Sequence, residues 1–586
     1  MKNTMVAVLA AASLSLLGAT NGAAAASQVQ PTLLGPAAAL QPVHFTVHLP
    51  LRNEGELDAL LAAQTAIGSP LYHHFLTPAQ FVAAYGPSRA KLDAAALPLR
   101  AAGFAVRQTP HGLEVAGTAS QMARMFKSPV NSVRTRGGRI TAALTGHATM
   151  PASLSTLGAI IPALSGVSRR ETNSERSLKG VPDNRYSAFG PYWFDDLKEA
   201  YQFPSYLVLN GRGRTIATVI SSDFSDADLA QYMHHEKLPV PRTYRRIIDG
   251  GNPFNPNSGD SFEADLDIQQ LAGMAPAATV VDYETPDLSD QSIYDAYAAV
   301  DDDNKVDVVS SSFGGCELYY TPAYNGGQNF TFILKAYDQL FKQGNSQGIT
   351  FTASSGDQGN YQCFDPTGSY FVRGVQFPAD SPRVTAVGGT NLITEYTPPV
   401  GGKRNLDSGY IRESEYADHR TGPRNFIWGS GGGESVVFPR PAYQNLVGYN
   451  YAGRGVPDLS LQMGGCPGDA IRCNPDDSAS VEAFAGQLVG VIGTSISSPD
   501  FAGLLALKIQ HDGHRLGNVN PESYRIARQG TYKGSHFYHN NIPGNNGFRS
   551  TTGYNLVVGN GSVIGRNYIE AFDVPLAGDP QTPSNP

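Results

Sequence analysis

The segment VIGTSISSPDFAGLLALKIQ sets Ser495 between a Gly-Thr pair and an apolar run that follows Pro499. Phe501, Leu504, Leu505 and Ile509 recur at helical spacing, so the serine is expected where a strand gives way to a helix, with Pro499 in the first helical turn. Backbone N–H groups and the positive end of the helix dipole gather at such a point and suit a developing oxyanion. An ordinary N-cap serine fits the same position. A nucleophile also needs a base, commonly histidine. Between the linker described below and the C-terminus the histidines are His234, His235, His419, His511, His514, His536 and His539, and none stands in a recognisable activating context. The segment does not complete a Gly-x-Ser-x-Gly elbow either, since Ile496 and Ser497 follow the serine.

A carboxylate base is therefore worth seeking. SGDSFEADLDIQQLAGMAPAATV sets Glu263 and Asp267 four residues apart, on one face if the segment is helical. Two carboxyls at that spacing repel unless protons or buried polar partners accommodate them, so at least one should have a shifted pKa. An exposed acidic face would explain the spacing equally well, although the apolar run that follows argues for docking inward. ITFTASSGDQG ends a strand in a glycine-rich turn at Asp357, whose carboxyl could enter a cleft or close an Asx turn.

The elements that would position these residues are legible. RTIATVI, ATVVDYE, KVDVVSSSF, GITFTASSG and RVTAVGG alternate with helical segments such as DQSIYDAYAAV and FTFILKAYDQLFKQ. Val, Ile and Thr runs separated by helices predict an α/β domain with a mainly parallel sheet, whose site should lie at the carboxyl ends of the strands. Upstream, HFTVHLPL, EGELDALLAAQTA, FLTPAQFVAAYG with a Thr77/Gln80 capping box, and two strands around a Pro-His-Gly turn predict a separate α+β unit. Between them, SRRETNSERSLKGVPDN is polar and charged, and is expected to be an exposed linker open to proteases. The expected division is a signal peptide over 1–26, a prodomain over 27–167, the linker over 168–184, the main domain over 185–575 and a Pro-rich tail over 576–586.

Composition limits the alternatives. The chain has 586 residues, 16% of them charged, and a net charge of -8, with no basic stripe for nucleic acid. Its first residues carry Lys2, a short apolar run and an Ala-x-Ala site near Ala24 to Ala26, the pattern of a secretory signal that leaves no membrane anchor. Four cysteines in an exported chain suggest disulfides; Cys466 and Cys473 could close a short loop, which would leave Cys316 with Cys363, although sequence alone does not fix the pairing.

Taken in order, the Glu263/Asp267 segment, VVSSSFGG, SSGDQG, FPADSPRVTAVGGT, GSGGGESVVFPRPAYQ, RGVPDLSLQ and GTSISSP resemble the sedolisin family of serine-carboxyl peptidases. The region from about 43 to 160, with SPLYHHFLTPAQFVAAYGPS, resembles that family's pro-kumamolisin-type activation domain. The resemblance implies a subtilisin-like fold and a secreted zymogen that works in acid, outside the cell or in the periplasm. Its prodomain would act as an intramolecular inhibitor and its substrates would be proteins or peptides. It assigns Ser495 as nucleophile, Glu263 as base, Asp267 as its orienting partner and Asp357 as oxyanion stabiliser, with Ser312, Phe313, Gly314 and Gly315 as the edge on which substrate lies. Tripeptidyl-peptidase activity on the same fold is an alternative, and a silent secreted binding protein a more distant one. The family also implies calcium near the C-terminus. Here HNNIPGNNGFRSTTGYNLVVGNG puts Asn541 and Asn555 where two Asp ligands are expected, with Ile542, Thr551 and Gly553 between them, so calcium is expected to be weak or lost.

Overall fold

The computed structural model describes residues 32–135, 138–166, 170–177, 187–398, 407–419, 427–465 and 477–574. The expected signal segment, the tail, and Cys466 with Cys473 lie outside them.

Residues 32–166 form the expected α+β unit. Pro42–His48, Gly112–Thr118 and Ala105–Thr109 make one three-stranded antiparallel sheet, and Thr32–Pro36, Val130–Arg134 and Ile140–Leu144 a second. Phe45 meets Phe104 and Phe126 edge to face in the core, an arrangement that favours aromatic pairs beyond the area they bury. Thr77 and Gln80 do form the capping box, and Thr118 with Gln121 forms another ahead of helix Ala119–Phe126. A helix with a weaker apolar signal, Arg89–Ala101, buries Ala95, Ala96 and Leu99.

In the main domain the sheet order is Arg242–Arg245, Thr279–Glu284, Thr215–Ile220, Val308–Ser311, Thr350–Ser354, Thr385–Thr394, Leu459–Gln462, Ser562–Val563 and Tyr538–His539. All but the last of these strands run parallel to their neighbours. From Thr215–Ile220 the chain winds toward one edge, and from Val308–Ser311 toward the other. The boundary between these adjacent strands is a topological switch point, where the carboxyl ends diverge and open a crevice. Helices Gly259–Met274 and Thr494–Asp512 pack together beside it. Gly503 permits their close approach, since a Cβ there would stand 2.3 Å from Met274 Cβ.

The N-terminal unit docks on helices Asp290–Asp303 and Thr331–Ser346. Thr46 Oγ1 donates to Asp295 at 2.7 Å, Lys342 meets Glu54 at 2.7 Å and Asp58 at 2.9 Å, and Arg383 reaches Asp58 at 2.8 Å. His48, buried between Gln339 and Tyr294, is held neutral by loss of solvent, with its pKa pushed down to about 3.

The linker departs from expectation. Rather than lying open, Glu171–Thr172 pairs with Phe313–Cys316, and Glu175–Ser177 pairs with Gln487–Ile492. Strand addition is made by backbone groups, so a segment poor in apolar side chains can still be seated in a groove. Cys316 and Cys363 form the expected disulfide across 47 residues.

Several carboxyls are buried without cationic neutralisation close enough to ionise them. Asp282, Asp301 and Asp500 have no hydrogen-bond partner on either oxygen, and burial raises all three; Asp265 is pushed up to about 9, again chiefly by burial. The folded chain thus keeps protons that an unfolded chain sheds above about pH 4. The folded state binds more protons across that window, so stability falls as pH rises from there toward the raised values. The imidazoles of buried His48 and half-buried His73 and His539 act in the opposite sense, with pKa values pushed down to about 3, about 4 and about 4, and are fewer. Melting of the full chain carrying Ser495→Ala, a substitution that guards against the self-cleavage the resemblance implies, should occur at higher temperature at pH 4.5 than at pH 7.5. A melting temperature that climbs over that interval would contradict this balance.

Candidate active site

The helix Gly259–Met274 is buried along its length, and Glu263 and Asp267 are each 0% exposed. The exposed-face reading of their spacing is thereby excluded. Asp267 Oδ2 accepts from Thr218 Oγ1 and Oδ1 from Ser312 Oγ, each at 2.5 Å. Thr218 comes from the strand on one side of the switch point, and Ser312 follows the strand on the other. Burial raises the pKa of both carboxyls, and the neighbouring Asp267 charge raises Glu263 further. Burial and the repulsion between the two carboxyls favour the protonated form of at least one of them.

Ser495 is the second residue of helix Thr494–Asp512, which begins at Gly493 as its cap. Pro499 is therefore the sixth helical residue rather than part of the first turn. Its missing N–H would have bonded the Ser495 carbonyl, which instead lies 3.5 Å from Ser312 Oγ. Ser495 is not an N-cap: its hydroxyl donates to the Ser312 carbonyl at 3.2 Å. That hydroxyl also lies beside Glu263 and favours its ionised form, as does the Ser174 hydroxyl, which bonds Glu263 Oε2 directly. Glu263 Oε1 has no hydrogen-bond partner.

Asp357 follows strand Thr350–Ser354 and turns toward the start of the same helix. Thr494 N and Oγ1 donate to its Oδ1 at 2.8 and 2.7 Å, while Oδ2 is buried without a partner. This long-range bonding replaces the Asx turn that the sequence also allowed. Burial raises its pKa well above the usual carboxyl range, and the nearby Glu171 and Glu175 charges add to the shift. Gly429 and Gly431 back the turn by donating to Asp357 O and Gly356 O at 2.9 and 2.7 Å, which sets the GSGGGES loop beside the cleft.

The linker passes through this space. Asn173 N donates to Ser312 O, and Asn173 O accepts from Ser495 N, both at 3.1 Å. The Asn173 side chain donates to Ser354 Oγ at 2.8 Å and Gln376 Oε1 at 2.9 Å. A Cβ on Gly493, whose φ is +137°, would stand 2.2 Å from Asn173 O, 2.7 Å from Ser174 Cα and 2.9 Å from Asp357 Oδ2. The unbonded carboxyl oxygen and the peptide carbonyl thus border one small space. Ser312, Phe313, Gly314 and Gly315 form the edge beneath the linker strand, with Phe313 opposite Thr172 and Gly314 opposite Glu171.

Ser495, Glu263, Asp267 and Asp357 therefore converge from three separate segments, and their hydrogen bonds come from Ser, Thr and backbone groups. Thr218, Thr494, Asn173 and Ser174 were not singled out from sequence. Only Thr218 carried a usable signal, a polar residue flanked on both sides by apolar ones within its strand.

Residues 30–165 match the profile of the pro-kumamolisin activation domain, and residues 247–534 that of the subtilase family. Sedolisin of Pseudomonas sp. (strain 101) is 28% identical over 551 residues, covering 90% of this chain and 86% of that one. Kumamolisin of Bacillus sp. (strain MN-32) is 28% identical over 577 residues, covering 92% and 93%. The chain thus joins a pro-kumamolisin-type activation domain to a subtilase-family domain and is similar to sedolisin and kumamolisin over most of its length. It is a serine-carboxyl peptidase with an N-terminal activation domain. The solved structure of Pseudomonas sedolisin, a serine-carboxyl proteinase complexed with two molecules of pseudo-iodotyrostatin, shares the fold with a TM-score of 0.54 and 24% identity, covering 66% of this chain and 97% of that one. Among the described residues no helix is long and apolar enough to cross a membrane.

Proposed function

We propose that the chain is exported as a zymogen and acts in acid as an endopeptidase through Ser495, Glu263, Asp267 and Asp357. The observation that carries this reading is the Asn173 carbonyl, held by the Ser495 N–H in the space bordered by Asp357. Glu263 takes the Ser495 proton as the oxygen attacks that carbonyl, and returns it to the departing amine. Asp267, fixed by Thr218 and Ser312, orients Glu263. The tetrahedral oxyanion receives hydrogen bonds from Ser495 N–H and from protonated Asp357, a carboxylic acid kept neutral by its dry site. Deprotonation of Asp357 removes that donor, which gives the acid requirement its sign.

In the precursor, Ser174 competes with Ser495 for Glu263, and the Ser495 hydroxyl also turns toward Ser312 O. Cleavage follows when the Ser174 hydroxyl yields. Four linker residues, Arg170 to Asn173, precede the bond in the cleft, which favours an endopeptidase over an enzyme that accepts only three. Wild-type precursor held at about pH 4, near unperturbed carboxyl values, should yield a first product beginning at Ser174. Ser495→Ala and Glu263→Gln should slow its formation by at least about 1,000-fold, the scale on which an acyl-transfer nucleophile or its base acts. N-terminal sequencing and timed gels check both; wild-type rates in Ser495→Ala would remove the assignment.

The C-terminal loop supports a calcium-free reading. Val557 N and Val558 N donate to Asn555 Oδ1 at 3.0 and 3.1 Å, which leaves its amide nitrogen facing Thr551 O and Gly553 O at 2.8 and 3.0 Å. Ser550 Oγ bonds Ile542 O, and Thr552 Oγ1 reaches Asn541 Oδ1 at 3.4 Å. Hydrogen-bond donors thus meet oxygens that would otherwise face a hard cation. Saturating calcium should shift the melting temperature by less than about 1 °C, whereas an ion bound well above its Kd stabilises by several kcal/mol. A shift of several degrees, reversed by chelator, would show that the loop still binds calcium.

A further inference from the structure

Arg170 reaches into the peptidase domain, at the border of a cavity that the N-terminal unit also lines through Val43, Leu144 and Gly166. Its side chain is 3% exposed, and its guanidinium meets Asp290 Oδ1 through Nη2 at 2.5 Å and Leu288 O through Nη1 at 3.3 Å. The guanidinium lies 5.3 Å from the Tyr337 ring centre and 5.6 Å from that of Phe377. Gly315 leaves room for the stem, since a Cβ there would approach Arg170 Cγ to 2.8 Å.

The carboxylate is prepared for a cation independently of the linker. Asp290 is the first residue of helix Asp290–Asp303 and is 5% exposed. Tyr320 OH donates to its two oxygens at 2.8 and 3.0 Å, and Tyr337 OH to its carbonyl at 2.6 Å and to Oδ1 at 3.2 Å. These groups remain when the linker leaves, and a buried carboxylate is costly without a charged partner. A planar guanidinium reaches both the carboxylate and the Leu288 carbonyl while lying between two rings, a combination that a lysine ammonium cannot reproduce.

We propose that Asp290, Tyr320, Tyr337, Phe377 and the Leu288 carbonyl form an arginine-selective subsite, which directs the mature peptidase to bonds with arginine four residues ahead of the cut. This deepens the active-site reading above and rests on it, because the linker's register at Ser495 sets the position. The preferred substrates are polypeptides carrying Arg-x-x-x immediately before the scissile bond, and the linker is the first of them.

The test uses mature enzyme and the peptide Arg-Glu-Thr-Asn-Ser-Glu-Arg, blocked at both ends, with its first residue replaced in turn by citrulline, lysine or alanine. Arginine should give a kcat/KM about 10- to 100-fold above alanine and citrulline, the range of a buried charged hydrogen bond, with lysine between. Asp290→Asn should collapse the arginine-to-alanine ratio toward one. That ratio is measured within one preparation, so partial unfolding of the variant cancels; if no folded variant is recovered, the citrulline comparison in wild type decides alone. A wild-type ratio near one, or an undiminished ratio in Asp290→Asn, would overturn the subsite. If Ser495→Ala cut these peptides at the wild-type rate, the underlying active-site reading would fall instead.

Discussion

The burial of three carboxyls around one serine is the constraint on which the rest of this structure depends. Glu263, Asp267 and Asp357 are each no more than 2% exposed, and their direct hydrogen-bond partners are hydroxyls and backbone N–H groups rather than cations. Such carboxyls are affordable only as acids or as members of a proton-sharing pair. The switch point supplies the arrangement: Thr218 and Ser312 arrive from adjacent diverging strands, and the two packed helices bring Glu263 and Ser495 to the crevice. Histidine has no place in this network, and the proposed chemistry uses proton-bearing carboxyls for what imidazole does elsewhere.

The same cleft restrains the precursor. Backbone pairing seats the linker, Arg170 anchors it in the Asp290 pocket, and Ser174 engages the proposed base. Covalent attachment through the docked prodomain raises the local concentration of this segment, so modest individual contacts suffice to keep the cleft filled. Acid acts on both sides of that balance. It favours the protonated carboxyls of the site, and it opposes the neutral His48 that the prodomain interface buries, whose contribution is lost as pH falls from about 6.5 toward about 3.

Much of this was legible in the sequence where local pattern controls the outcome. Val, Ile and Thr runs gave the parallel sheet, Thr77 and Gln80 a helix start, and the Glu263/Asp267 spacing a shared helical face. Charge without apolar residues suggested exposure for the linker, and failed because its seat is made by backbone groups of distant strands. Pro499 suggested a helix start five residues too late, because a proline is tolerated where the carbonyl it leaves unbonded faces another hydroxyl, here Ser312. The partners Thr218, Thr494 and Asp290 lie far in sequence from the groups they touch, and no local pattern links them.

The central claim is that Asp357 works as a proton-bearing donor. The pH dependence of kcat/KM in the mature enzyme and in its Asp357→Asn form tests it most directly, since an amide donates at every pH. Wild-type activity should fall with rising pH, while the variant, though slower, should lose the part of that fall owed to Asp357. An Asp357→Asn profile that declines in parallel with wild type would contradict it.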